Sequence, residues 1–160
     1  MNPKTTADPE RAEARREPSL EQVAFVHLLR AASALSQGMA ELLRPAGLTP
    51  AQYNVLRALS EVSGPLTCGE MGERLTSRDP DVTRLLDRLE KQGLITRTRS
   101  HEDRRVVVTE LTDSGARIVA DLEEPVRRLH AAQLGHLGQA NLRSLLELLV
   151  RAEEGTTGTE

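Results

Sequence analysis

Residues 67–111 read TCGEMGERLTSRDPDVTRLLDRLEKQGLITRTRSHEDRRVVVTEL, and a change of period inside this stretch decides the fold. Thr67 and Glu70 stand three apart, the capping-box spacing in which a hydroxyl and a carboxylate satisfy the free backbone donors of a helix start. A short helix over Cys68 to Leu75 follows, then the four-residue link Thr76 to Asp79. Pro80 sits at a first helical position, where a missing N–H costs nothing. The helix it opens runs to Gln92. On it, Val82, Leu85, Leu86 and Leu89 face inward, and Arg84, Arg88 and Lys91 fall at i, i+4 and i+7 on the opposite face. Two short helices joined by a tight link, the second with a basic outer stripe, form a helix-turn-helix pattern.

Beyond Gly93 the sequence favours strands. Leu94 to Arg99 is rich in Thr and Ile, Arg105 to Leu111 contains Val106, Val107, Val108 and Thr109, and the polar loop Ser100 to Arg104 lies between them. A two-stranded hairpin of this size is marginal in water and must lean on the preceding helices. The expected result is a wing.

Outward from this core the chain is helical. Thr49 with Gln52, and Ser19 with Gln22, repeat the capping-box spacing, and Pro50 follows Thr49. One helix is expected from Pro50 to Glu61, ahead of the turn Ser63-Gly64-Pro65. A longer one is expected from Leu20 to Leu43, closed by Pro45 and Gly47. It carries a stripe of Val23, Leu28, Ala32, Leu35, Met39 and Leu42. A helix of about 36 Å exceeds what a domain this small needs for its own interior, so a second chain is its expected partner. Past the wing, a long helix begins near Thr112 or Asp113, with a kink expected at Pro125. A last helix from Gln139 to Ala152 carries Leu142, Leu145, Leu146 and Leu149. The organisation expected is a flexible arm at 1–18, a dimerisation helix at 19–47, a winged helix-turn-helix core at 48–112, C-terminal dimerisation helices at 113–153 and a disordered tail at 154–160. The fold class is mainly α with a small β-hairpin wing.

Composition narrows the function. The chain has 160 residues, 38% apolar and 28% charged, which suits one soluble, helix-rich domain with arms. Phe25 and Tyr53 are its only aromatic residues, so stacking platforms for single-stranded bases are not expected. A single cysteine, Cys68, excludes an internal disulfide, and the four histidines lack metal-ligand spacing; no cofactor is expected. No apolar run approaches the roughly 18 residues of a membrane helix and no signal-peptide core opens the chain, so the expected location is cytoplasmic. The G-x-S-x-G elbow, P-loop, H-E-x-x-H and dinucleotide motifs are missing, and an enzyme is not expected.

The net charge of −3 conceals an asymmetry. Residues 74–105 hold nine Lys and Arg against six Asp and Glu, a surplus of +3, so the remainder of the chain sums to −6. A local basic surplus on one helix and its wing is the footprint of a face that meets phosphates. Arg84 and Arg88 are a like-charge i, i+4 pair, mildly unfavourable alone and readily explained if phosphates neutralise it. At the wing, Asp103 and Arg105 lie two apart across a turn, so the carboxylate is expected to orient the guanidinium at the tip. An arginine held there suits the negative potential of a narrow minor groove.

The stretches LTPAQYNVLRALSEVSGPLTCGEMGERL, VTRLLDRLEKQGLITR and DRRVVVTELTDSG together resemble the winged-helix core of the MarR family of bacterial transcriptional regulators. Asp103-x-Arg105, with five residues before Leu111-Thr112, matches that family's wing signature. The resemblance spans about residues 20 to 150. It implies a homodimer, held by the first and last helices, that binds a pseudopalindromic double-stranded operator and acts as a repressor. It places the 80–92 helix in the major groove and the wing arginine in the minor groove. Arg78, Asp81, Thr83 and Arg84 are then the base-reading candidates, Arg88 and Lys91 the phosphate candidates, and Arg104 and Arg105 with Asp103 the wing contacts. Asp79 and Asp81 depart from the small or neutral residues common there. Capping explains Asp79, while Asp81 either caps or accepts from a cytosine amino group. The family's responsiveness to small aromatic or anionic effectors points to a pocket lined by Phe25, His27, Tyr53 and Leu56. Its oxidant-sensing branch points to Cys68, in a first helical turn whose positive end favours a thiolate, although the reactive cysteine of such members lies near the first helix. Against DNA binding stands a winged helix used only to contact proteins, which needs neither the basic stripe nor the wing arginine.

Overall fold

The computed structural model describes residues 17–62, 64–75, 82–100 and 103–157. The chain divides into two compact units, residues 1–34 and 35–160. Helix α1 (Leu20–Leu43) starts at the expected capping box: the Ser19 N–H donates to Gln22 Oε1 at 2.9 Å and the Gln22 N–H to Ser19 Oγ at 3.4 Å. Within the first unit Leu20, Val23, Phe25, Val26, Leu28 and Leu29 are all exposed, an apolar surface wider than a single stripe.

The second unit contains the core. A 3₁₀ turn at Arg44–Ala46 ends on Gly47 at φ +68°, the left-handed geometry that glycine adopts without strain. Helix α2 (Pro50–Ser60) opens with the complete Thr49–Gln52 capping box, and α3 (Cys68–Arg74) with the complete Thr67–Glu70 box. Helix α4 is described over Val82–Lys91. Its Leu86 and Leu89 are buried, Val82 and Leu85 half-buried, and Thr83, Arg84, Arg88 and Lys91 exposed, so the helical stripe reads as expected. Gly93, at φ +69°, ends it, with its N–H on the Glu90 carbonyl and the Leu94 N–H on the Leu89 carbonyl.

The wing is more than a hairpin. Strands β2 (Ile95–Arg99) and β3 (Val107–Leu111) pair antiparallel, and β1 (Leu66–Thr67) joins the outer side of β3, giving the order β1-β3-β2. The added strand lies between the α2–α3 turn and α3, so Thr67 serves as strand residue and helix cap at once. With β3 between two neighbours, Thr109 becomes one of the most buried residues of the chain. This third strand supplies support that a hairpin lacks.

Helix α5 (Asp113–Leu134) runs unbroken through Pro125, where a kink was expected; the ring deletes one donor and the rest of the ladder carries the helix past it. After a 3₁₀ turn at Gly135–Leu137, α6 (Gly138–Thr157) extends five residues beyond the expected end. Glu153 and Glu154 are good helix formers and no proline follows them, so the helix continues where a tail was expected. None of the described helices is long and apolar enough to cross a membrane.

The buried cluster joins Leu43, Leu48, Tyr53, Val55, Leu56, Leu59, Leu66, Met71, Leu86, Leu89, Leu94 and Ile95, with Val126 from α5. Nearly all of it lies between residues 43 and 95, so the winged-helix core forms its own aliphatic interior. Burying Leu86 and Leu89 stabilises it by about 2 to 3 kcal/mol each, and both lie on the face of α4 that turns the basic face outward.

Candidate nucleic-acid interface

The site is built from α4, β2, β3 and the turn between the strands. With its leucines in the core, α4 has no freedom to rotate, and Thr83, Arg84, Arg88 and Lys91 are held on its solvent face. Arg78 and Asp81, with Asp79 and Pro80, lie outside the described residues, so the start of this helix is defined from Val82 onward.

The wing turn is fixed by its backbone. Ser100 N–H donates to the Val106 carbonyl and Val106 N–H to the Asp103 carbonyl, each at 2.9 Å. The Asp103 carboxylate does not pair with the Arg105 guanidinium, as the sequence spacing suggested. It accepts from the Arg105 backbone N–H at 2.9 Å. A short acidic side chain reaches the amide two residues on more readily than the end of a long neighbouring side chain, which makes this an Asx turn. The effect on presentation is indirect: Asp103 sets the chain path, and the exposed Arg105 side chain extends from it. On the other strand, Arg99 Nη1 donates to the Arg104 carbonyl at 2.8 Å and ties β2 to the turn.

One ionic cluster was not anticipated. Arg97, at the centre of β2 opposite Thr109, reaches to α4. Its Nη2 lies 2.6 Å from both Asp87 Oδ1 and Glu90 Oε2, and its Nε lies 2.9 Å from Glu90 Oε2. The Arg97 side chain is 24% exposed. Hydrogen bonds from Glu90 raise its already high pKa and those from Asp87 add to this, while desolvation opposes them. The sequence signal was present: residues 87 and 90 are three apart and share one helical face.

The wing then passes into α5 at Thr112. Its N–H donates to the Leu94 carbonyl at 3.1 Å, its hydroxyl donates to the Gly93 carbonyl at 2.7 Å and accepts from the Gly115 N–H at 3.0 Å. Gly115 is buried against this junction; a Cβ there would stand 2.1 Å from the Leu94 carbonyl oxygen. The Leu111-Thr112 pair is therefore the joint between strand and helix.

Among the effector candidates, Tyr53 and Leu56 belong to the second unit. Tyr53, 4% exposed, borders a cavity of about 760 Å³ between the end of α1, α2 and α5, with Leu35, Met39, Val126, Arg127 and His130 on its walls. Burial is the main cause of a phenol pKa raised above its ordinary value, and Arg57 partly opposes it. Leu56 is a correction: it is 0% exposed, packed in the core, and lines none of the cavities described. Phe25 and His27 belong to the first unit, where they line an open apolar depression on α1 with Val23 and Val26. Cys68, the first residue of α3, is exposed and unpaired.

Comparison with known proteins agrees with this architecture. The family model described as "MarR family" matches residues 48–107. The HTH-type transcriptional regulator FarR of Neisseria gonorrhoeae is 30% identical over 124 residues, covering 78% of this chain and 84% of that one. The HTH-type transcriptional repressor MdtR of Bacillus subtilis (strain 168) is 43% identical over 77 residues, and this match spans about half of each protein, 48% and 49%. A solved MarR transcription factor from Planctomyces limnophilus is 41% identical, with a TM-score of 0.64 over 84% of this chain and 98% of its own. A family match on the winged core, extended by relatives that align over most of the chain, shows that this protein belongs to the MarR family.

Proposed function

We propose that the protein is a repressor that binds a pseudopalindromic double-stranded DNA operator as a homodimer. Helix α4 enters the major groove, with Thr83 and Arg84 toward base edges and Arg88 and Lys91 toward phosphates. Arg78 and Asp81 belong to the same proposal by sequence position. The wing turn, with Arg104 and Arg105 on the Asx turn of Asp103, approaches the minor groove, where a narrow groove strengthens the negative potential.

The observation that carries this reading is the one-sidedness of α4. Its apolar face is sealed in the core while its cations stand exposed beside an exposed wing arginine. A module serving only protein contacts has no need of that arrangement. The homodimer reading is supported by the apolar side chains left exposed on both flanking helices, Leu28 and Leu29 on α1 and Leu146 and Leu148 on α6.

A small aromatic or anionic effector is proposed for the cavity beside Tyr53. Burial keeps the phenol protonated and able to donate, and His130 and Arg127 are the cationic groups on the wall. The test is selection of bound duplexes from a random-sequence pool by the full chain, with light scattering at micromolar concentration. A palindromic motif bound by a particle of twice 17.6 kDa is expected; failure to enrich any duplex overturns the reading.

A further inference from the structure

Asp87 and Glu90 pose a problem for a helix that enters a DNA groove. They sit on α4 among Arg84, Arg88 and Lys91, and unpaired carboxylates at that distance from phosphates are repulsive. In the structure neither is unpaired. Both are held by one guanidinium from outside the helix, that of Arg97 on β2.

We propose that Arg97 is a positioning residue for DNA binding, which masks the two acids of α4 and fixes that helix to the strand carrying the wing. The proposal rests on the DNA-binding reading above. Arg97 belongs by sequence to the basic surplus of residues 74–105, yet its charge is directed inward. Setting Arg97, Asp87 and Glu90 aside leaves eight Lys and Arg against four acids in that segment. The outward surplus is therefore larger than the plain count and is carried by other residues.

The geometry suits both tasks. A planar fork engages two carboxylates at once, which a lysine's single ammonium does less well. Asp87 and Glu90 stand one helical turn apart, so engaging both resists rotation of α4 about its axis as well as displacement from β2. Two residues further along β2, Arg99 holds the wing turn through the Arg104 carbonyl. One strand thus links α4 to the turn that presents Arg105. The distance between the two groove-contacting elements is set by that strand.

The experiment compares wild type, Arg97→Gln and the triple variant Arg97→Gln, Asp87→Asn, Glu90→Gln. The probe is a duplex that the wild type has selected from a random pool, titrated across salt concentrations, with circular dichroism and thermal midpoint as folding controls. Arg97→Gln is expected to lower affinity about tenfold or more, with the slope of log affinity against log salt unchanged, because no phosphate contact is lost. The triple variant, with the acids neutralised and amide hydrogen bonds still available, is expected to recover to within about threefold of wild type. Wild-type affinity in Arg97→Gln overturns the proposal. So does a slope reduced by about 0.9 without recovery in the triple variant, which identifies a direct phosphate contact. If Arg97→Gln does not fold, the triple variant decides alone by binding with or without its arginine. A wild type that selects no duplex instead overturns the DNA-binding reading, and the positioning role with it.

Discussion

The winged-helix core and the last helix use leucine in opposite ways. In the core, Leu56, Leu86 and Leu89 are fully buried, polar groups such as Thr109 and Gln52 are enclosed with them, and the chain completes its own interior. In α6, Leu146 and Leu148 are each about 60% exposed, and the 20 residues of the helix include none that is fully buried. A helix so rich in leucine is not built for water, and tertiary packing, rather than propensity, stabilises most helices. The difference separates a part whose stability is intrinsic from a part whose stability depends on another surface. The reading head can hold a fixed shape while the frame answers to association.

This contrast can be broken by mutation. Leu89→Ala should have the largest effect, a loss of about 3 kcal/mol in urea unfolding that is the same at every protein concentration. Leu146→Ala should cost under about 0.5 kcal/mol in the dilute chain and weaken only the concentration-dependent part of the stability. Equal losses at low concentration would erase the distinction. Gly115→Ala comes next, at about 2 kcal/mol, since the new methyl meets a backbone carbonyl that cannot step aside; a wild-type thermal midpoint would show that the joint between wing and α5 is loose. Arg105→Ala should lower operator affinity about tenfold, or about 1.4 kcal/mol, and leave the thermal midpoint where it was. An unchanged affinity would remove the wing from the interface. Thr49→Ala deletes one half of a capping box and should cost about 1 kcal/mol in the same unfolding assay.

The smallest effect depends on pH. The Glu70 carboxyl is held below its ordinary value of 4.5, first by the backbone N–H of Thr67 and then by the Thr67 hydroxyl. The folded pKa is the lower one, so the carboxylate's contribution is present above the unfolded value and disappears as the pH falls through the lowered one. The difference in urea midpoint between wild type and Glu70→Gln should therefore shrink on acidification. A constant difference would mean that the cap works through geometry alone.

Much of this was legible in the sequence because the signals were local. Three capping boxes, two prolines after caps and the leucine stripe of α4 each involve residues within one or two turns, and each is found where expected. What escaped was non-local. Strand β1 has two residues and exists only because β3 passes beside it, so no window around Leu66 could reveal it. The Asp103 carboxylate was expected on a side chain and lies on a backbone amide, a choice made by the turn path. Arg97 was counted with the outward cations because the count ignores direction; strand register and the shared face of residues 87 and 90 turn it inward. Leu56 looked available to a ligand by its helical position, and only the packing of β1 and α4 encloses it. The overall charge of −3 misled for the same reason: it averages a basic head with an acidic frame.

The central claim, that the exposed face of α4 and the wing meet DNA phosphates, is tested most directly by the salt dependence of binding by the full-length wild type to its own selected duplex. Each neutralised phosphate contributes about −0.9 to the slope of log affinity against log salt. With Arg88, Lys91, Arg104 and Arg105 engaged in both protomers, a steep linear fall is expected, with a slope of roughly −5 or beyond. A slope near zero would contradict the account.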